Sequence, residues 1–465
     1  MKTKFHPRSE RGSLLIVAMI FSAIVAICLT SYIRMARTAM TVSQRSFYAN
    51  SAMNLTETGL EMAINAINNT SWGAWTTSGA NATATFTGFT FGQGATGQVQ
   101  VYVQNYNTTA PFLVAKGTLY VPNGAPIIKM VEVTGVVNRS LFAKGLVGKN
   151  GVSFTGNNPS VDAWNSNPTN AAAGTYIPVA YSSSNKVATG SVAAVNITAD
   201  VSVQNADIFG TASVGANNTS NITVGPQGSI GQSFTTPAGY IDPNAVSGNF
   251  TANLPNVTNP TVPTGYTAIS VGTITGKTTD STNTFPRVGD LPASDGKYYY
   301  NVSSINPNGS NSFSVTGNVV FVMSGTISIT GSQSINVAST GKLAIYTASN
   351  VNIAGNGIAN SNTDPQSMQI YGTATSTGQS ISVSGNGTLT AIVYAPNADV
   401  TAKGGGSSGS IYGAFVGNTI SMAGNDAFHY DLNLGNMNGN PFFQPSKWVE
   451  LVSAADRATY ATQLP

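Results

Sequence analysis

Two histidines, one cysteine and seventeen acidic residues are all that the 465-residue chain offers for metal binding or proton transfer. His6 falls in the first dozen residues, so His429 is the single histidine of the body. A His-rich metal site is thereby excluded. His429 stands near Asp426 and Asp431, carboxylates of the type that orient a triad histidine. No serine sits in a nucleophile elbow to complete such a triad. The expected role of His429 is therefore hydrogen bonding at the end of a strand. Asp364 and Asp399 are scattered, whereas glycosidic cleavage needs paired carboxylates. The Gly-rich stretch Lys403–Gly409 lacks the residue order of a phosphate-cradling loop and reads as a flexible loop of the solenoid. Asp-rich calcium loops are absent. Cys28 lies in an apolar run, and a single cysteine forms no disulfide within the chain. No catalytic residue, cofactor or metal ligand is expected.

The elements that would position these residues follow from composition. Only 8% of residues are charged, while Gly reaches 49. Solubility must then rest on amides and hydroxyls, and Gly and Asn supply the turns of a β-rich fold. Short regular runs of Val, Ile, Phe and Tyr argue against disorder. The net charge of +3 forms no basic stripe outside the N-terminus, so no nucleic-acid partner is expected.

Residues 1–12 carry Lys2, Lys4, Arg8 and Arg11 against Glu10. Residues 13–33 then contain no charge, enough apolar chain to span a bilayer core of about 30 Å as a helix. This is longer than the apolar core of a secretory signal. The basic flank holds the N-terminus in the cytoplasm and sends the body to the far side. Helical spacing continues through Met35, Ala39, Val42, Ser46, Ala49, Met53, Leu60, Ile64 and Ile67. One helix over 13–67 is expected, amphipathic in its second half, with a soft point at Gly59 and an end at Asn68-Asn69.

The run Arg11-Gly12-Ser13-Leu14-Leu15-Ile16-Val17 resembles the prepilin signal of type IV pilins and pseudopilins, most closely the PilX-type minor pilins. Phe47–Ala52 and Glu57–Glu61 resemble the amphipathic half-helix of that family. The resemblance covers roughly residues 11–67. It implies cleavage after Gly12 by a prepilin peptidase, a mature N-terminus at Ser13, and packing of Leu14, Leu15, Ile16 and Val17 against other pilin helices. It also implies an inner-membrane location, with the body periplasmic or carried to the cell surface in a pilus. Major pilins hold Glu at the fifth mature position, and here that position is Val17. A plain, uncleaved signal anchor is the simpler alternative.

Gln98–Gln104, Phe112–Val121 and Ile127–Val137 read as strands of an antiparallel β part over 75–140, with a turn at Pro122-Asn123-Gly124. Beyond Leu141 a small unit recurs: β-formers, a small residue, then Gly-Asn. It appears at 152–157, 313–318, 351–356, 381–386 and 420–425. The spacing suits coils of a parallel β-helix (β-solenoid), with rungs at Ile327-Ile329, Ile335-Val337 and Leu343-Tyr346. An irregular β-sandwich is the alternative. Two solenoid parts are expected, 141–233 and 301–440. A Pro-rich excursion or linker over 234–300 divides them, and a tail over 441–465 caps the open end. Residues 389–431 resemble a β-helical domain found fused to PilX-type N-termini, on Tyr394-Ala395-Pro396-Asn397 and His429-Tyr430-Asp431. The fold class expected is mainly β with a long N-terminal helix, a pilin-like α+β module followed by a β-solenoid.

Three functions follow. The first is a structural minor pilin or pseudopilin, involved in filament assembly or tip presentation. The second is a membrane-anchored adhesin or carbohydrate binder, with a surface glycan or protein as partner. The third is an anchored polysaccharide-degrading enzyme.

Overall fold

A computed structural model describes residues 11–465 apart from 70, 109, 123, 139–140, 157, 170–175, 277–282, 308, 355–356, 386–388, 405–409, 426 and 438–441. The first ten residues of the basic leader, the centre of the Pro122–Gly124 turn and Asp426 lie outside the described residues. So do parts of three Gly-Asn units and most of Lys403–Gly409. The chain is mainly β with one long N-terminal helix, and forms two compact units. One comprises Met1–Val137 with Phe443–Pro465, and the other Asn138–Phe442.

The helix of the first unit runs unbroken over Arg11–Asn68. No proline interrupts it, and polar side chains in its apolar half bond their own backbone. Ser22 Oγ donates to the Ala18 carbonyl at 2.8 Å, and Thr30 Oγ1 to Ala26 at 2.7 Å. Such bonds let a hydroxyl sit on an apolar surface without an unmet donor. The buried face begins at Tyr48 and follows Ala52, Leu55, Leu60, Ala63 and Ile67. The stripe expected from sequence starts too early. Met35 and Val42 are exposed, and Met53 is only half-buried. Gly59 is no soft point in the fold. A Cβ there would collide with Val99, so glycine permits close approach of helix and sheet.

Against this face lies a six-stranded sheet in the order Thr76–Ser78, Asn81–Phe91, Ala95–Gln104, Phe112–Tyr120, Ile127–Asn138, Phe442–Glu450. The first five strands pair antiparallel. Alternation in Gln98–Gln104 predicts one wet face, yet Val101, Tyr102 and Val103 are all buried. The C-terminal tail covers the second face, where Leu451 and Leu464 pack with Tyr102, Val114 and Met130. Residues 443–465 thus belong to the first unit.

The second unit is built from parallel ladders. Tyr298–Ile305, Asn318–Met323, Lys342–Thr347, Met368–Gly372, Leu389–Gly404 and Ser410–Ala423 pair in that order. The next strand is not next in the chain. Leu146–Phe154, from the start of the unit, pairs in parallel with Ser410–Ala423. Gly190–Ala194 and Asp207–Val214 follow. The Gly-Asn units at 152–157 and 420–425 are therefore stacked, Val152 on Ile420 and Phe154 on Met422. The unit at 313–318 lies in a separate sheet with Ser334–Val337 and Ile358–Asn360. One apolar core runs from Phe142 to Leu434.

This order explains the Pro-rich stretch. Having built one end of the ladder, the chain must reach the other, where Ile269–Ile274 pairs with Tyr298–Ile305. From Val246–Ser247, which pairs with Asp207–Val214, ten inter-strand steps span about 48 Å, and residues 248–268, extended, reach about 70 Å. Phe250 N donates to Val214 O at one end. Tyr394 Oη donates to Pro255 O at 3.1 Å, and Asn397 Nδ2 to Asn256 Oδ1 at 2.8 Å, midway. Val262, Tyr266 and Ala268 pack on Tyr299, Val320 and Tyr346 near the far end. Proline keeps the stretch out of the ladders it crosses. It is a strap over one continuous structure, not a linker between two parts.

Candidate functional site

At the N-terminus, Gly12 and Ser13 occupy the first turn of the helix, and Leu14, Leu15, Ile16 and Val17 are exposed. The helix is long and apolar enough to cross a membrane, and its apolar window has no buried share. Cys28 is exposed on the same surface as a free thiol.

His429 sits mid-strand in Ala427–Asp431, not at a strand end. Parallel register places Tyr412 on one side of it and Asp162, from strand Ser160–Trp164, on the other. Side chains in register on adjacent strands stand in a row, so three outward residues form a stack. His429 Nδ1 meets Asp162 Oδ1 at 2.5 Å, both residues 4% exposed. Tyr181 closes over the pair. Its hydroxyl donates to Asp162 Oδ2 at 2.8 Å, and its ring stacks on the imidazole with centroids 3.7 Å apart. The Tyr412 ring stacks on the same imidazole at 4.8 Å. Burial, then the Asp162 hydrogen bond, raise the Tyr181 pKa, so this hydroxyl stays a donor. Both Asp162 oxygens are thus satisfied, as a buried carboxylate requires.

Asp431 does not join His429. Its Oδ1 accepts from Ser166 N and Asn433 N, each at 3.0 Å, and the second of these bonds caps the short helix Leu432–Asn436. Burial pushes the Asp431 carboxyl up to about 6. Nearby, Tyr176 donates to Asp364 Oδ2 at 2.8 Å and accepts from Asn433 Nδ2 at 2.9 Å. Asp399 accepts from Asn418 and Thr419.

The chemistry of this cluster is that of a clasp. Among the described residues no hydroxyl or thiol nucleophile is bonded to His429, and no three acidic, histidine or cysteine side chains gather as a metal site. Tyr430 Oη donates to the Phe142 carbonyl at 2.7 Å. His429-Tyr430-Asp431 therefore ties the last strands of the unit to its first ones, as Tyr394 and Asn397 tie down the strap. Sequence reasoning missed Asp162, Tyr181 and Tyr412. His429 and Asp162 are 267 residues apart, and only the parallel register joins them.

A profile of a domain of unknown function (DUF7305) matches residues 258–437. The match runs from within the strap to the residue after the helix capped by Asp431. No curated protein matches the chain. No solved structure matches it either.

Proposed function

We propose that the protein is a prepilin-like subunit of a type IV pilus or related secretion filament, anchored by its N-terminal helix and carrying residues 138–442 as a parallel β-helix. The observation that carries this reading is the division of one 58-residue helix at Tyr48. Before that point its large apolar side chains, from Leu14 to Phe47, are exposed. After it the helix packs on an antiparallel sheet. A helix of this kind suits a subunit that rests in the inner membrane and later packs among neighbouring helices. Gly12 and Ser13 flank the cleavage point in this reading, and Leu14–Val17 meet other subunits. Val17 leaves a neighbouring N-terminal amine without the usual carboxylate, and an unpaired buried charge is costly. A tip or a rare position fits this chain better than the filament shaft. The in-register parallel ladders and the single core support the β-helix reading of the body.

The test is the mature N-terminus, read by mass spectrometry in host cells with and without prepilin peptidase. A peptide beginning at Ser13 that disappears without the peptidase supports the proposal. An intact leader in both strains overturns it and leaves an anchored surface protein.

A further inference from the structure

In a chain with 8% charged residues, two lysines at one cavity stand out. Lys297 and Lys342 line a cavity of about 240 Å³ on the outer face of the parallel ladders, roofed by Pro260 of the strap. Lys297 pairs with Asp295 at 3.1 Å. Lys342 is exposed and, among the described residues, has no carboxylate within 4 Å. Its charge reaches Asp364, but that carboxyl is committed to the Tyr176 hydroxyl and the Gln366 amide. The cavity therefore carries one lysine with no carboxylate in direct contact among the described residues, Asp364 lying further off.

Neutral groups surround it. Asn318 is the register neighbour of Lys342, and its side-chain amide has no hydrogen-bond partner among the described residues. The Tyr346 ring is stacked on Tyr371 with centroids 4.8 Å apart, and its hydroxyl is likewise unengaged among the described residues. Burial raises the Tyr346 pKa, which keeps that hydroxyl a donor. A second cavity of about 470 Å³ opens beside Asn259, next to Pro260 in the strap. Ser270, Asn301, Ser303 and Ser324 line it, with no charged residue.

We propose that this face binds an acidic polysaccharide, with one sugar carboxylate at Lys342 and neighbouring sugar hydroxyls on Asn318, Tyr346 and the serine-lined cavity. A cation flanked by amides and hydroxyls matches a carboxylated sugar, whose charge is sparse and whose remaining surface is hydroxyl. One free lysine is too little for a nucleic-acid backbone, which needs several. The proposal goes beyond the filament reading, and failure of cleavage at Gly12 leaves it untouched.

Titration calorimetry of the full-length protein in detergent micelles, with tetragalacturonate as the probe, tests it. Neutral galactotetraose and inorganic phosphate, at matched ionic strength, are the comparators. Saturable binding of tetragalacturonate is expected, weakened about tenfold or more by Lys342→Ala. Tyr346→Phe should weaken it severalfold, and Lys342→Arg should retain most of it. Circular dichroism confirms that each variant is folded. Absence of binding, equal binding of the neutral tetramer, full displacement by phosphate at equal concentration, or an unchanged Lys342→Ala would each overturn the proposal.

Discussion

The two units solve the same problem, completing a sheet, with opposite chain economies. The first leaves its sheet incomplete across the whole of residues 139–441, until Phe442–Glu450 returns to join Ile127–Asn138. The second lays its first strand, Leu146–Phe154, on the late strand Ser410–Ala423 in the middle of an open ladder. The second unit is thus inserted in the sequence of the first. In both, the decisive pairing joins segments hundreds of residues apart. The first unit presents both sheet faces to cover, a helix on one and the tail on the other. The second covers its ladders with its own interior and with a proline-rich strap. The contrast shows where each is vulnerable: the first at its last residues, the second at the clasps that tie early strands to late ones.

The largest effect should come from deleting residues 443–465. Phe443, Leu451 and Leu464 are each buried in the first unit, and each contributes about 1.5–3 kcal/mol. Limited proteolysis of the full chain in micelles should then degrade residues 70–137 while 146–437 stays protected. Equal protection of both regions would break the comparison. Next in size is Asp162→Ala in the second unit, which removes the acceptor of both His429 and Tyr181. A cost of about 2–3 kcal/mol in chemical denaturation is expected, with Asp162→Asn milder. The first unit's transition should not move.

Gly117→Ala sharpens the contrast between tight and open glycines. A Cβ at Gly117 meets the Ala52 carbonyl at 2.7 Å, so about 1–3 kcal/mol should be lost. Gly272→Ala on the end strand of the ladder meets nothing within 4 Å and should be neutral within about 0.5 kcal/mol. Asp431 makes the second unit's stability depend on pH. Its folded carboxyl, raised by burial from 3.8 to about 6, holds its proton where the unfolded chain has released it. Stability should therefore fall as pH rises from about 4 to 6, then level off. Asp431→Asn should flatten that slope in thermal melts, and a slope that persists assigns it elsewhere. The smallest effect is expected at Lys129–Glu450, 2.6 Å apart but about a quarter exposed on each side. Lys129→Ala should cost less than about 1 kcal/mol and fade with salt.

Local features were legible in the sequence because their causes are local. A proline-free apolar run long enough to cross a bilayer reads as a helix, and the observed Arg11–Asn68 differs from the expected 13–67 by a residue or two at each end. Ile327–Ile329 and the strands around 335–337 and 343–346 sit where short β-former runs placed them. The repeat of Gly-Asn units announced stacking, since equal segments pair in register. Its neighbours stayed hidden. Nothing local to Ser153 names Ser421 as its partner, and nothing local to His429 names Asp162. The sequence alone therefore determined the long N-terminal helix and some of the strands, Phe112–Tyr120 and Ile127–Asn138 among them. The tertiary structure alone decided that the C-terminal strand belongs to the first unit and the proline-rich stretch is a strap. It also decided that His429 is clasped between two tyrosines. Backbone pairing in a sheet is nearly sequence-neutral, and its register is set by which apolar faces become buried together.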